Sequence, residues 1–271
     1  MNARIRAALR LLRRRGWALG LVGVLAFSLG CLGLGQWQFG RHQDKTLRNQ
    51  RIDANYSATP VALSQVLAGP AVPLPLDRLW QPVLLQGRYL AGDTVLVRNR
   101  PLHGSFGYEV LVPLQLTDGS TVVVDRGWIP NGAVGSAPDS VPQAPPGPVQ
   151  VVVRLRAGEP NLERAPIPGQ SSSIDLTELS HRFALPLYQA YGVLAQESPA
   201  ASPAPELLPH PDEDLGPHLA YAVQWWAFAV AGPVLFGRAL DRETHLAPAA
   251  TEPRRRRRPS DEEYEDALTG G

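Results

Sequence analysis

The chain has 271 residues, 19% charged and 44% hydrophobic, a balance too polar for a polytopic membrane protein. Cys31 is its single cysteine, which excludes an intramolecular disulfide and a copper chaperone's paired thiolates. The formal net charge is +1, and residues 40–217 carry 13 Lys/Arg against 17 Asp/Glu, so nucleic acid is excluded as a partner.

Residues 1–16 form a basic arm, expected to be helical and continuous with the apolar run after it. Arg4, Arg6, Arg10, Arg13, Arg14 and Arg15 lie in it without an acidic residue. Residues 17–39 (WALGLVGVLAFSLGCLGLGQWQF) contain no charge. A bilayer core about 30 Å thick needs roughly 20 helical residues, so this run is predicted to span a membrane. It is longer than a signal-peptide core of about 7–15 residues. The stretch Ser28–Cys31 has Ser where a lipoprotein cleavage site usually has Leu. A retained anchor is therefore predicted.

Residues 41–52 are polar and extend the same helical pattern out of the membrane. Residues 53–79, rich in Ala, Pro and Leu, are expected to be irregular, with a helical turn near Ser64–Leu67. Short Val/Leu-rich runs then recur between Gly, Asp and Pro punctuation, and they predict strands at Pro82–Leu90, Asp93–Arg100, Tyr108–Leu116, Thr121–Ile129 and Gln150–Arg156. Such spacing indicates an antiparallel sheet or a partial barrel. Residues 131–148 are a Pro/Gly/Ala/Ser loop. Residues 175–183 predict a short helix capped by Asp175, with Glu178 placed to answer it. Leu187–Leu194 is the last predicted strand, and 197–217 is a Pro/Ala/acidic linker.

Residues 218–237 are the second predicted span. Arg238, Arg242 and Arg254–Arg258 follow it. Basic residues at span ends stay on the cytoplasmic side, so both termini are expected inside and 40–217 outside. The tail 238–271, five arginines followed by an acidic patch, is expected to be disordered. The fold class is thus a membrane protein with two transmembrane helices flanking an extracytoplasmic β-rich α+β domain.

The second span opens GPHLAYAVQWW. His218, Tyr221, Ala222 and Trp225 have the i, i+3, i+4, i+7 spacing of one helix face. Gln36, Trp37 and Gln38 close the first span at the same level. Packed together, the two spans would line one shallow site with an imidazole and aromatic rings. Trp and Tyr are also ordinary interfacial anchors, and a histidine in an outermost turn can be solvated and inert. A polar side chain at membrane depth, however, is usually held by a partner or a ligand, as His218 and Gln224 would be. In RGWIP (residues 126–130), Gly127 permits close backbone approach, Trp128 is either a docking edge or a core residue, and Arg126 can grip a carboxylate with two donors. The hairpin NRPLHGSFGY (99–108) is structural. No GxSxG, HExxH, phosphate loop or CxxC occurs, so no enzyme chemistry is supported.

Four stretches in order, LGLGQWQFGRHQDK, RNRPLHGSFGYEVLVPL, RGWIP and HLAYAVQWWAFA, resemble the surfeit locus protein 1 family of cytochrome c oxidase assembly factors across residues 17–240. The resemblance implies two transmembrane helices around an outer β-rich domain. It also implies haem a binding or insertion during maturation of the oxidase's catalytic subunit, with His218 at the position of a haem-iron ligand. Haem a synthase is a further implied partner, and the cell membrane the implied location. Trp37 and Arg126–Trp128 match family motifs without an assigned role. Trp37, Tyr221 and Trp225 are candidates to wall the cofactor site, and Arg126 or Arg41 to pair with a propionate.

Overall fold

The computed structural model describes residues 3–134 and 137–246, which divide into two compact units. One holds the chain up to His42 and again from Gly216; the other runs from Gln43 to Leu215.

The first unit is helical. A short helix α1 (Ala3–Leu12) precedes α2 (Arg15–Asn55), and α4 (His218–Leu246) enters after the second unit. The basic arm is therefore a separate helix. It breaks at Arg13–Arg14, and α2 begins at Arg15. The predicted extension of the first apolar run into residues 41–52 is observed, because α2 continues unbroken to Asn55. α2 and α4 are long and apolar enough to cross a membrane by length and composition. The expected disorder beyond Arg238 does not begin there. α4 runs on to Leu246, where the Asp241 carboxylate lies 3.6 Å from His245 one turn ahead and Thr244 donates to the Asp241 carbonyl. The remainder of the tail lies outside the described residues.

The second unit is a β-barrel. Its strands are β1 (Val61–Ala62), β2 (Pro82–Tyr89), β3 (Val95–Leu102), β4 (Ser105–Leu116), β5 (Thr121–Pro130), β6 (Pro148–Arg156), β7 (Gln170–Ser171) and β8 (Leu187–Ser198). The order β2–β6–β8–β5–β4 returns to β2, because Gly87, Arg88 and Tyr89 pair with Leu116, Gln115 and Leu114. The ring is closed rather than partial. It is also mixed rather than antiparallel, since β5 and β8 run parallel. A parallel neighbour needs a crossover connection, here the long excursion through β6, β7 and helix α3 (Leu176–Phe183). The Asp175 carboxylate accepts from Thr177 N at 2.9 Å and Glu178 N at 3.2 Å, which is the predicted start of α3.

Burial explains why the strands read as continuous apolar runs. Val110, Val112, Leu114, Val122 and Val124 belong to one core cluster with Val83, Leu85, Val151, Val153 and Leu194. Their neighbours Leu111 and Val123 belong to a second cluster, with Val95, Val97 and the α3 residues Leu176 and Leu179. β4 and β5 are thus covered on both faces, a condition that removes the polar alternation of a half-exposed strand.

Closure sets a steric condition at Gly87. A Cβ there would stand 2.1 Å from the Gln115 carbonyl oxygen, a backbone atom of the strand that seals the ring. Gly87→Ala is expected to destabilise the protein by about 1–3 kcal/mol. Gly92→Ala, where a Cβ meets nothing within 4 Å, is the matched control and is expected to change little. Denaturant unfolding of the purified protein measures both.

Candidate functional site

In the helical unit α2 and α4 pack antiparallel along small residues. Ser28, Cys31 and Gly35 of α2 are buried, as are Ala222 and Ala229 of α4. Phe236 reaches Gly20 and stacks edge-on with Trp17, ring centroids 5.6 Å apart. Trp226 fills the space over Gly35, where a Cβ would come within 2.4 Å of the indole nitrogen, and its ring lies 5.7 Å from Phe39. Small residues permit such close approach between helices in an apolar environment. Cys31 is a buried packing residue of this seam.

At one end of the seam the half-buried His218 meets Gln38 across the two helices, with Nδ1 2.8 Å from Oε1. An amide oxygen only accepts, so in this contact the imidazole donates through Nδ1–H, which in the neutral ring leaves the lone pair on Nε2. Nε2 has no hydrogen-bond partner among the described residues. An imidazole held through one nitrogen and bare at the other has the arrangement of a metal-ligating histidine. His218 therefore fits the iron of a haem, for which imidazole is an ordinary axial ligand.

The other predicted residues are distributed differently. Trp37 is 59% exposed and Tyr221 46% exposed, so both present rings on the outer surface of the helix pair, not inside it. The ring contact of Trp225 is with Phe228 on its own helix, centroids 6.0 Å apart. Gln224 is exposed. The seam of α4 thus follows His218, Ala222, Trp226 and Ala229, not the predicted face through Tyr221 and Trp225. The sequence offers both stripes, because successive turns of a 3.6-residue helix drift. The missing side chain of Gly35 decides which tryptophan is received.

Arg126 does not belong to this site. It lies in the barrel unit with its side chain fully buried. It does grip a carboxylate with two donors, as its chemistry predicts, but the carboxylate is internal. Nε and Nη2 donate to Glu197 Oε2 and Oε1, each at 3.1 Å, Nη1 donates to the Pro142 carbonyl at 3.2 Å, and the guanidinium lies over the Tyr89 ring. With its donors committed and no surface, Arg126 does not fit as the partner of a propionate. In the same stretch Trp128 is a core residue, its indole N–H donating to the Arg100 carbonyl at 2.8 Å. The backbone approach that Gly127 permits is that of the linker. A Cβ at Gly127 would stand 2.2 Å from the Glu206 carbonyl oxygen, and Trp128 and Glu206 exchange backbone hydrogen bonds.

Asp125, the neighbour of Arg126 in sequence, belongs to a separate carboxylate cluster that sequence patterns do not signal, because its members come from separate strands and a loop. Arg100 bridges Glu159 at 2.5 Å and Glu109 at 3.0 Å, and Glu159 also accepts from Ile174 N at 3.0 Å. The buried Asp125 accepts from Gly127 N at 3.0 Å. Burial, reinforced by the charge of Glu109, pushes the Asp125 carboxyl well above its ordinary value of 3.8. Burial likewise raises Glu109, against the pull of Arg100. Glu159 also loses water on burial, yet the Arg100 and Ile174 hydrogen bonds hold it below the usual range.

For Asp125 the folded state holds its proton more tightly than the unfolded chain. Its contribution to stability is therefore lost as pH rises above the ordinary carboxylate value. Asp125→Asn preserves the acceptor for Gly127 and removes the titration. The mutant is expected to gain stability relative to the parent as pH is raised from about 4 towards neutrality. Unfolding midpoints of the two proteins measured across that range test it; a constant difference contradicts it.

The SURF1 family model matches residues 25–230, from within α2 through the barrel to the middle of α4. Uncharacterized SURF1-like proteins of Mycobacterium bovis and Mycobacterium tuberculosis are 32% identical over 259 residues, covering 90% of this chain and 93% of theirs. A SURF1-like protein of Dictyostelium discoideum is 31% identical over 106 residues, 38% of this chain and 39% of its own. The family match takes in both ends of the His218–Gln38 contact and the whole barrel; this chain belongs to the SURF1 family.

Proposed function

We propose that the chain is a two-span protein of the cell membrane that acts, without catalysing a reaction, as an assembly factor for cytochrome c oxidase. It would hold haem a at His218 while the oxidase's catalytic subunit matures. The observation that carries this reading is the imidazole at the end of the helix seam, fixed through Nδ1 and bare at Nε2.

The membrane placement rests on charge and exposure. Only 17% and 11% of the apolar windows of α2 and α4 are buried, so most of those residues are not enclosed by protein, which suits lipid. Arginines flank the N-terminal end of α2 and the C-terminal part of α4, which orients both termini to the cytoplasm and the barrel to the outside. His218 then falls near the outer face of the bilayer. Haem a would supply a flat, largely apolar ring whose iron takes the imidazole and whose propionates seek cations. Trp37 and Tyr221 offer exposed ring faces in the same unit. Arg41, one helical turn beyond Gln38 and exposed, is the cation suited to a propionate. Haem a synthase is the source such a carrier requires, and the catalytic subunit the recipient.

A structural chaperone without haem is the second reading, favoured by one feature. The His218–Gln38 bond also serves to register α2 against α4, and that role needs no cofactor.

The two readings part on pigment. Co-expression with the enzymes of haem a synthesis, purification in detergent and absorption spectroscopy are expected to show haem a in the parent protein and its loss in His218→Ala. A colourless parent protein, in cells that demonstrably make haem a, leaves the structural reading.

A further inference from the structure

We infer that Gln38 is a positioning residue for His218, one that sets the imidazole tautomer and ring orientation from the opposite helix so that Nε2 is presented to iron. The inference rests on the reading of His218 as a haem ligand and names the group that makes it one.

Geometry and chemistry converge on this role. Gln38 continues the stripe of α2 that contains Ser28, Cys31 and Gly35, at spacings of three and four residues, so its side chain leaves the helix on the face that meets α4. Its Oε1 lies 2.8 Å from Nδ1. In water a neutral imidazole exchanges its proton between the two nitrogens. Here a single fixed acceptor at Nδ1, with no partner at Nε2 among the described residues, selects the Nδ1–H form. An amide is suited to this task. It orients the ring without a formal negative charge, which would be costly in an apolar seam and would favour the protonated, non-ligating imidazolium. The acceptor is itself held in place. Trp226 fills the gap over Gly35, one turn away on the same helix, and packs against Phe39, the residue next to Gln38. Groups that hold the far nitrogen of a ligating histidine tune both its aim and its basicity, and their loss typically weakens metal binding about 10- to 100-fold.

The test uses the full chain purified in detergent and two separate readouts. In the cofactor-free protein with 15N-labelled histidine, the His218 signals, identified by their absence in His218→Ala, are expected to report a protonated Nδ1 and a bare Nε2. Gln38→Leu is expected to shift them towards the Nε2–H form, while Gln38→Glu keeps a proton on Nδ1. In titration with haemin, the Gln38→Leu protein is expected to bind about 10- to 100-fold more weakly than the parent, and Gln38→Glu, which keeps the acceptor at Nδ1 but adds the charge that favours imidazolium, to bind between the two. Haemin binding equal in the parent and Gln38→Leu, or His218 signals unmoved by Gln38→Leu, overturns the positioning role while leaving His218 as ligand. A parent protein that binds no haemin overturns the ligand reading itself and the role of Gln38 with it. If Gln38→Leu does not fold, Gln38→Met, a side chain of similar length without the amide, takes its place with the same two readouts.

Discussion

Ring closure is the constraint on which the barrel unit depends. A sheet leaves two rows of unpaired backbone groups at its edges, and here the pairing of Gly87–Tyr89 with Leu114–Leu116 joins them. The join is possible only because β8 arrives parallel to β5 and fills the place between β5 and β6. The crossover that delivers β8 also delivers α3, whose Leu176 and Leu179 cover the second face of β4 and β5. A connection, a helix and a second core layer are thus consequences of one topological choice.

Burying β4 and β5 on both faces leaves their polar residues without water. Arg126, Asp125 and Glu109 are all enclosed, and each is answered: Arg126 by Glu197 of β8, Glu109 by Arg100 of β3, and Asp125 by the Gly127 N–H of its own strand. Removing one member of a buried ion pair strands the other charge, at a cost of about 3–5 kcal/mol. These residues therefore hold the barrel's strands in register with its linker and loops. They resemble a binding site in composition and are part of the architecture. The linker is held by side-chain donors to its carbonyls. Lys45 donates to the Asp214 carbonyl at 2.9 Å, and Arg48 and Asn49 donate to the carbonyls of Asp212 and Glu213.

In the helical unit the arrangement is different. Most of the apolar surface faces outward, and among the described residues the small ones buried between α2 and α4 are Ser28, Cys31, Gly35, Ala222 and Ala229. Close approach of two helices brings a polar side chain of one within reach of a polar side chain of the other, and His218 and Gln38 use that proximity. The aromatic residues divide accordingly. Trp226 and Phe39 fill the seam at Gly35, whereas Trp37 and Tyr221 are left to whatever lies outside.

Much was determined by the sequence alone, because the relevant physics is local. The length and neutrality of two apolar runs, the strand runs between turn residues, the Asp175 cap and the two-donor grip of Arg126 follow from neighbours in the chain, and the structure bears them out. What only the tertiary structure decided involves partners far apart in sequence. It chose Glu197 as the carboxylate for Arg126, the linker as the segment approaching Gly127, a parallel β8, and Trp226 over Trp225 as the seam residue. It also brought Gln38 to His218 across 180 positions. Helical periodicity offers several stripes and a charged side chain accepts any complementary group. Which one is taken depends on where the rest of the chain has already been packed, a condition no short stretch of sequence contains.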